Sequence, residues 1–392
     1  MRNPPILRKF AENNFYILRI VKKFAIHNRK NWTAFSWKES AVNPLLNEVI
    51  RLQGKICGLM LAMGFSQKTE AMLNTLTLDV LKSSEIEGEN LDYEQVRSSI
   101  ARRLGINAAN MVESSRTIDG VVEMMLDATQ NFKKELTEKR LFEWHKVLFS
   151  YGQFPTISVG KYRTEEMQIV SGRMGHLNVH YEAPAPERLS EEMSQFLKWF
   201  NEENEPNYIL KSAIAHFWFV TIHPFEDGNG RIARAISDMM LARSDNSSQR
   251  FYSMSAQILK TRKKYYDILQ KTSYGDGDIT DWLLWFLETL KKALLESEKI
   301  TNLVLFKANF WDKHKETPFN SRQRLMLNKL MDGFTGKLNT SKWAKIAKCS
   351  QDSALRDIKD LLEKGILMQD PHGGRSTGYE LYILPYLYEQ PL

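Results

Sequence analysis

One stretch of the chain, residues 223–234, reads His-Pro-Phe-Glu-Asp-Gly-Asn-Gly-Arg-Ile-Ala-Arg. Apolar residues recur at helical spacing over 208–221 before it and 231–243 after it, so the stretch is predicted to be a loop that runs into a helix start. Gly228 and Gly230 allow the backbone to adopt positive φ and to approach a ligand closely. The N–H groups of such a turn and of a helix start together favour an anion.

The side chains of this stretch supply the other parts of a phosphate-transfer site. Arg231 and Arg234 are three positions apart, on one face of the predicted helix, and guanidinium groups suit phosphate oxygens. Asp227 offers a hard oxygen ligand of the kind that holds Mg²⁺ beside phosphates. His223 is a base whose ordinary pKa lies near neutrality. An Asn-Gly or Asp-Gly turn beside a core histidine is the simpler interpretation, but it leaves the two arginines unexplained.

The same stretch resembles the Fic motif, H-x-F-x-[D/E]-G-N-G-R-x-x-R, at every defined position. Upstream, Ser83, Glu87 and Gly88 match the inhibitory motif of that family, [S/T]-x-x-x-E-[G/N], and their place resembles the class with an N-terminal inhibitory helix. Residues 160–163, Gly-Lys-Tyr-Arg, resemble the segment before the flap of Fic proteins. The resemblance extends over roughly residues 31–300.

This resemblance implies a mainly α fold, with a helical Fic (Fido) core and a β-hairpin flap. The implied reaction transfers AMP from ATP to a Ser, Thr or Tyr hydroxyl of a target protein, the chain itself included. His223 would accept the proton of the attacking hydroxyl, and Asp227 would hold Mg²⁺ on the α- and β-phosphates.

The resemblance also implies which residues contact the nucleotide and which residue blocks it. The amides of Gly228, Asn229 and Gly230 would cradle the phosphates. Arg231 would offset charge on the pyrophosphate side, and Arg234 would bind the γ-phosphate. Glu87 would inhibit the enzyme by pairing with Arg234 and placing a carboxylate where phosphate should bind. Tyr265 is assigned to the adenosine side of the pocket, with a place in the core as its alternative.

A β-hairpin is predicted within residues 155–186, where glycines and prolines separate short β-type runs. Its turn is predicted around Ser171–Gly175. By resemblance, Ile169, Val170 and Ser171 of this flap lie beside the nucleotide and hold an extended segment of the target by strand addition.

The chain is predicted to contain five segments. They are a basic N-terminal segment (1–30), a helical region with the inhibitory helix (31–110), the Fic catalytic core (111–300), a connecting helix (301–317) and a winged-helix-like domain (318–392). The last assignment follows from three short helical patterns and then two β-type runs around a Gly-rich turn, which is the order of a winged helix.

Composition excludes several classes of protein. With 43% hydrophobic and 26% charged residues in 392, the chain is neither disordered nor fibrous. Two cysteines give no disulfide framework, which favours the cytoplasm. No run approaches the ~18 apolar residues of a membrane helix. Residues 1–40 carry nine Lys and Arg against two Glu, equal to the whole net charge of +7. A solvated leader is the simplest interpretation of that segment; contact with nucleic acid or an anionic membrane is the alternative.

Other functions remain open on the sequence. The kinase-like Doc branch resembles this motif but has Lys in place of Gly230, so the glycine favours AMP transfer. The same residues would also serve removal of AMP, or transfer of another nucleotide or of phosphocholine. A DNA-binding regulator acting through the winged helix is the rival from another class. Its predicted recognition helix, 351–364, has three basic and four acidic residues, which disfavours contact with phosphates. The target protein and a homodimer are not decided by the sequence.

Overall fold

The chain divides into two compact units, Met1–Glu298 and Lys299–Leu392. A computed structural model describes residues 24–107, 111–149, 157–173, 176–202, 207–331, 334, 336–370 and 378–382. Most of the predicted basic segment, as far as residue 23, lies outside the described residues. No helix within the described residues combines the length and the apolar character needed to cross a membrane.

The fold is mainly helical, as predicted. The helices of the first unit up to the motif are α1 (Glu39–Ala62), α2 (Phe65–Ile86), α3 (Tyr93–Leu104), α4 (Arg116–Gln130), α5 (Glu138–Phe149), α6 (Leu189–Asn201) and α7 (Tyr208–Ile222). After the motif loop come α8 (Asn229–Asp245), α9 (Met254–Lys260), α10 (Arg262–Ser273) and α11 (Thr280–Lys313), and short 3₁₀ turns lie at Ile26–Asn28 and Pro186–Arg188.

Two helix predictions differ from the structure. The helices predicted over 278–296 and 298–314 form the single helix α11, because no Gly or Pro interrupts it. The helix predicted over 255–271 is divided at Thr261, whose φ of −125° and ψ of 31° leave the helical region. The N–H of Thr261 donates to the carbonyl of Ile258 at 3.0 Å, a bond over three residues that closes the last turn of α9.

The core of the first unit is built around α7 and α8. Both helices are buried on almost every side, which is typical of a central helix. They pack against each other, with α4 and α2 against α8. The motif loop joins these two helices directly, so its ends are held by the best-packed part of the unit.

The predicted flap is an antiparallel hairpin of β1 (Gln168–Arg173) and β2 (His176–Glu182). Its register pairs Gln168 with Glu182 and Arg173 with His176, with a bulge between Ile169 and Val170. The strands therefore continue through most of the turn predicted at Ser171–Gly175, and the remaining turn residues lie outside the described part of the chain.

The second unit has its own core. Its elements beyond α11 are α12 (Ser321–Met331), α13 (Thr340–Ala347), α14 (Gln351–Glu363) and the antiparallel strands β3 (Leu367–Gln369) and β4 (Tyr379–Leu381). Phe310 of α11 packs in this core, and the compact unit spans Lys299–Leu392. The domain boundary at residue 318 stays a prediction. The order of three helices and a strand pair agrees with the prediction; assignment to the winged-helix class stays a prediction.

Candidate active site

The motif loop is fixed at both ends by residues in the left-handed region. His223 ends α7 with φ 51° and ψ 59°, and its N–H donates to the carbonyl of Phe219 at 3.0 Å. Gly228 caps the start of α8 with φ 81°. A Cβ on Gly228 would also lie 2.8 Å from the ring of Phe149, so both conformation and space require glycine there. Gly230 is different: it lies in α8 and its φ is not positive.

The side chain of Asn229 holds the loop in shape. Its Oδ1 accepts from the N–H of Phe225 at 3.0 Å, and its Nδ2 donates to the carbonyl of Phe225 at 2.7 Å. Because Asn229 is buried, these bonds are shielded from water. The resemblance implied a role only for the backbone amide of Asn229. The structure shows that its side chain also stabilises the loop through two hydrogen bonds.

His223 is a neutral base in this structure. Burial lowers its pKa to about 4, and nearby Arg163 acts in the same direction. Its Nδ1 lies 3.2 Å from the carbonyl of Val220, so we assign the proton to Nδ1. Nε2 is then the unprotonated nitrogen, able to accept a proton at neutral pH.

Arg163 connects the motif loop to the base of the flap. It is buried, its Nε donates to the carbonyl of His223 at 2.9 Å, and its Nη2 donates to the carbonyl of Pro184 at 2.5 Å. Its backbone N–H donates to the carbonyl of Pro224. The sequence marked this arginine only as part of a family segment and did not predict its contacts.

A second supporting residue, His145 of α5, was not assigned any role from the sequence. Its ring stacks on Phe225 with centroids 4.3 Å apart, and its Nδ1 accepts from the N–H of Gly160 at 2.9 Å. Burial lowers its pKa to about 4, which keeps it neutral. His145 is therefore a neutral core histidine that packs against the motif loop at Phe225.

The predicted inhibitory residues meet the last motif arginine. Arg234 is buried, and its Nη1 lies 2.8 Å from Oε1 of Glu87. Its Nε donates to the hydroxyl of Ser83 and its Nη2 to the carbonyl of Ser83, both at 2.8 Å. Gly88 turns the chain with φ 88° just after α2. The structure thus brings Ser83, Glu87 and Gly88 together at the side of α8.

The carboxylate of Glu87 also lies against Gly230. A Cβ on Gly230 would lie too close to Oε1 of Glu87, so a larger residue there would require the carboxylate to move. The hydroxyl of Tyr266 donates to Oε2 of Glu87 at 3.4 Å, a long hydrogen bond. The space next to the first turn of α8 is therefore occupied by a carboxylate.

The first motif arginine has a carboxylate partner that the sequence analysis missed. Nη1 of Arg231 donates to Oε2 of Glu89 at 2.7 Å, and its guanidinium lies over the ring of Phe149. Glu89 follows Glu87 across the turn at Gly88, but that spacing does not identify Arg231 as its partner.

Asp227 fits a role as a cation ligand. Burial raises the pKa of Asp227, and Glu87 acts in the same direction. A nearby cation would therefore stabilise the charged form of this carboxylate. Its Oδ1 accepts from the N–H of Gly228 at 2.5 Å, which fixes the carboxylate. Across the described residues, no group of three or more His, Cys, Asp or Glu could hold a metal alone. A Mg²⁺ ion at Asp227 would need phosphate oxygens or water as its other ligands.

Tyr265 lies in the core and not at the surface of a pocket. It is 1% exposed, its hydroxyl is 2.9 Å from Nε2 of His216, and its ring packs on Trp285. The alternative weighed for it, a core tyrosine, agrees better with this position. The neighbouring Tyr266 is the one that reaches Glu87.

The flap residues Ile169 and Val170 are half-buried at the bulge of β1. Ser171 continues the strand opposite Asn178, and its side chain lies outside the described part of the chain. Their contact with a nucleotide stays a prediction.

Comparison with known proteins agrees with this geometry. Residues 135–241 match the Fic/DOC family. Residues 25–106, which include α2 and Glu87, match a domain of unknown function (DUF4172). The chain is 27% identical over 212 residues to "Protein adenylyltransferase Fic" of Drosophila ananassae, covering 53% of this chain and 39% of that protein.

The relatives are longer than the part they share with this chain. The protein of the same name from Culex quinquefasciatus is 24% identical over 320 residues, which cover 75% of this chain and 58% of that protein. A crystal structure of a Fic family protein from Desulfovibrio desulfuricans G20 aligns with a TM-score of 0.50 and 19% identity, over 86% of this chain and 96% of that one. This likeness shows the Fic fold.

Proposed function

We propose that this chain is a protein adenylyltransferase that transfers AMP from ATP to a Ser, Thr or Tyr hydroxyl of a target protein, itself included. The observation that carries the proposal is the arrangement of neutral His223, Asp227 and two buried arginines around the start of α8. The Fic/DOC domain and the name shared by the similar insect proteins support it.

In the proposed reaction, the target hydroxyl oxygen attacks the α-phosphorus of ATP. A new P–O bond forms, the bond between the α-phosphorus and its bridging oxygen to the β-phosphate breaks, and pyrophosphate leaves. Nε2 of His223 takes the hydroxyl proton. Mg²⁺, held by Asp227, would neutralise phosphate charge when bound. As in other phosphoryl-type transfers, positioning and charge stabilisation account for most of the catalysis.

The phosphates of ATP would bind along the first turn of α8. Its free N–H groups and the positive end of its dipole favour anions. Gly228, Asn229 and Gly230 present the backbone there. Arg231 would face the pyrophosphate side, and Arg234, one turn further, would bind the γ-phosphate.

The structure has the geometry expected of an inhibited form of this site. Glu87 occupies the space beside Gly230 and pairs with Arg234 at 2.8 Å. A carboxylate in that place repels the γ-phosphate and takes its cationic partner. ATP bound around it would be displaced, and a misplacement of about 1 Å can lower the rate on the order of a hundredfold.

A target segment would add to the flap at β1. Two carbonyls of β2 already accept side-chain bonds, from Gln270 to His180 at 3.1 Å and from His27 to Glu182 at 2.8 Å. β1 is therefore the better-placed strand for an extended peptide, which would gain main-chain hydrogen bonds from it.

The position of the radioactive label distinguishes AMP transfer from phosphate transfer. We expect Glu87→Gln protein to transfer label from ATP labelled at the α-phosphate and none from ATP labelled at the γ-phosphate. Adding His223→Ala should reduce transfer by about a hundredfold or more, because the general base is lost. His314→Ala, in the other unit, is the matched control and should have no effect. Transfer of γ-label, or full transfer without His223, contradicts the proposal.

A further inference from the structure

The pair of Arg231 and Glu89 has the geometry of a strong contact. Nη1 and Oε2 are 2.7 Å apart, the arginine side chain is 3% exposed and the carboxylate 36%. A charge-assisted bond at this distance is among the stronger hydrogen bonds of proteins. The charge of Arg231 is therefore already compensated by Glu89 of the same chain.

The turn at the end of α2 presents two carboxylates to α8 together. The N–H of Glu89 donates to the carbonyl of Ser84 at 3.0 Å, and Gly88 between the acids has φ 88°. This turn places Glu87 against Arg234 and Glu89 against Arg231. Because the two arginines are three residues apart on α8, the two ion pairs lie side by side along the helix.

Arg231 also retains a donor with no acceptor. Its Nε is buried and has no hydrogen-bond partner among the described residues, and its guanidinium otherwise packs on the ring of Phe149 at 5.2 Å. A buried guanidinium without an anion is unfavourable. Arg231 therefore requires an anionic partner, and a phosphate group with several oxygens would satisfy more of its donors than Glu89 does.

We infer that Glu89 is a second inhibitory carboxylate, which competes with the phosphates of ATP for Arg231 while Glu87 holds Arg234. The inference rests on the proposed function, since it concerns regulation of the same site. Loss of Glu87 alone leaves Arg231 occupied. Full release then requires the end of α2 to withdraw both acids.

ATP binding and label transfer, measured on the same variants, test this inference. The full-length proteins are Glu87→Gln, Glu89→Gln and the double variant, with Glu85→Gln added to Glu87→Gln as the matched control. Glu85 is in the last turn of the same helix but pairs with Lys82 at 2.6 Å, away from the motif. ATP affinity with Mg²⁺ is measured by calorimetry, and transfer with α-labelled ATP.

We expect the double variant to bind ATP about tenfold more tightly than Glu87→Gln, with a matching fall in KM, because one partly exposed charged hydrogen bond no longer competes. The Glu85→Gln control should leave both values unchanged, and Glu89→Gln alone should transfer little because Glu87 still holds Arg234. Equal ATP affinity of Glu87→Gln and the double variant overturns the inference. Tighter ATP binding without any label transfer supports the inference at Arg231 and contradicts the proposed reaction instead.

Folding of the variants does not limit the test. Glu89→Gln keeps an oxygen that can accept from Arg231, and a thermal unfolding scan checks each protein. Should Glu89→Gln unfold, Glu89→Asp withdraws the carboxylate by one methylene, and the same comparison of ATP affinity is made with it.

Discussion

Tyr265 shows how one residue can act on the site without lining it. Ser237 donates to the carbonyl of Ser212 at 3.3 Å, so its oxygen accepts from Nδ1 of His216 at 3.0 Å. Nε2 of His216 must then accept from the hydroxyl of Tyr265 at 2.9 Å. The Tyr265 oxygen is thus left as an acceptor close to the Arg234 charge. We predict that Tyr265 helps to orient this arginine.

At the residue scale we predict that Tyr265→Phe, in the Glu87→Gln background, raises KM for ATP by about three- to tenfold with kcat nearly unchanged. The reason is that Arg234 loses a neighbouring hydroxyl oxygen, an effect of about 1 kcal/mol if that oxygen accepts from the guanidinium. Steady-state kinetics with labelled ATP measure the change. Tyr252→Phe is the control, since that buried tyrosine bonds to Asp245 instead. An equal change in both variants would mean that the effect is one of general stability.

At the scale of elements, α2 and α8 are joined by a buried charged cluster. Asp238 of α8 pairs with Arg250 at 2.7 Å, and both are buried. Burial raises the pKa of Asp238, with Asp79 of α2 acting in the same direction, while Arg250 stabilises its charged form. Asp79 accepts in turn from the hydroxyl of Ser253 at 2.5 Å. The cluster fixes α2 beside α8, with the inhibitory turn at the end of α2.

Arg250, the cation of this cluster, should contribute strongly to the stability of the fold. We predict that Arg250→Gln lowers the free energy of unfolding by about 3–5 kcal/mol, because it leaves buried carboxylates unpaired. Urea denaturation measures the loss. Lys139→Gln removes one partner of the exposed pair with Glu143 and should leave the midpoint where it is. A small shift for Arg250→Gln, like that of the control, would show that the cluster is not important for stability.

The elements also show how far sequence reasoning extends. The sequence predicted α7 and α8 closely, because each is a long apolar segment bounded by clear turn residues. The division at Thr261 was missed, because a single residue outside the helical region makes it and no Gly or Pro marks the position. The pairing of Glu89 with Arg231 was missed for another reason: it depends on how α2 packs on α8, and periodicity along the chain contains no information on which acid faces which arginine.

At the scale of the molecule, the site combines two regions that match different families. The motif lies in the region that matches the Fic/DOC family, and Glu87 and Glu89 lie in the region that matches DUF4172. The pairing of Glu87 with Arg234 could be predicted only because a resemblance supplied it. Within the first unit, the two matched regions therefore form one site.

The second unit shows a limit of counting charges. Its predicted recognition helix, residues 351–364, has a net charge of −1, and α14 itself, which ends at Glu363, has −2. Two of the acids are engaged inside the unit, Asp357 with Arg322 at 2.7 Å and Asp360 with Lys364 at 2.6 Å. The count thus misstates the charge that α14 presents, and nucleic-acid binding by this unit stays an open prediction.

The central claim is that His223 and the start of α8 form an adenylyl-transfer site closed by Glu87. The most direct measurement is the intact mass of full-length Glu87→Gln protein after incubation with ATP and Mg²⁺. We predict a gain of one or more adenylyl groups, little or no gain in the unsubstituted protein, and none when His223→Ala is added. A folded Glu87→Gln protein without adduct, or equal adduct in the variant lacking His223, would contradict the claim.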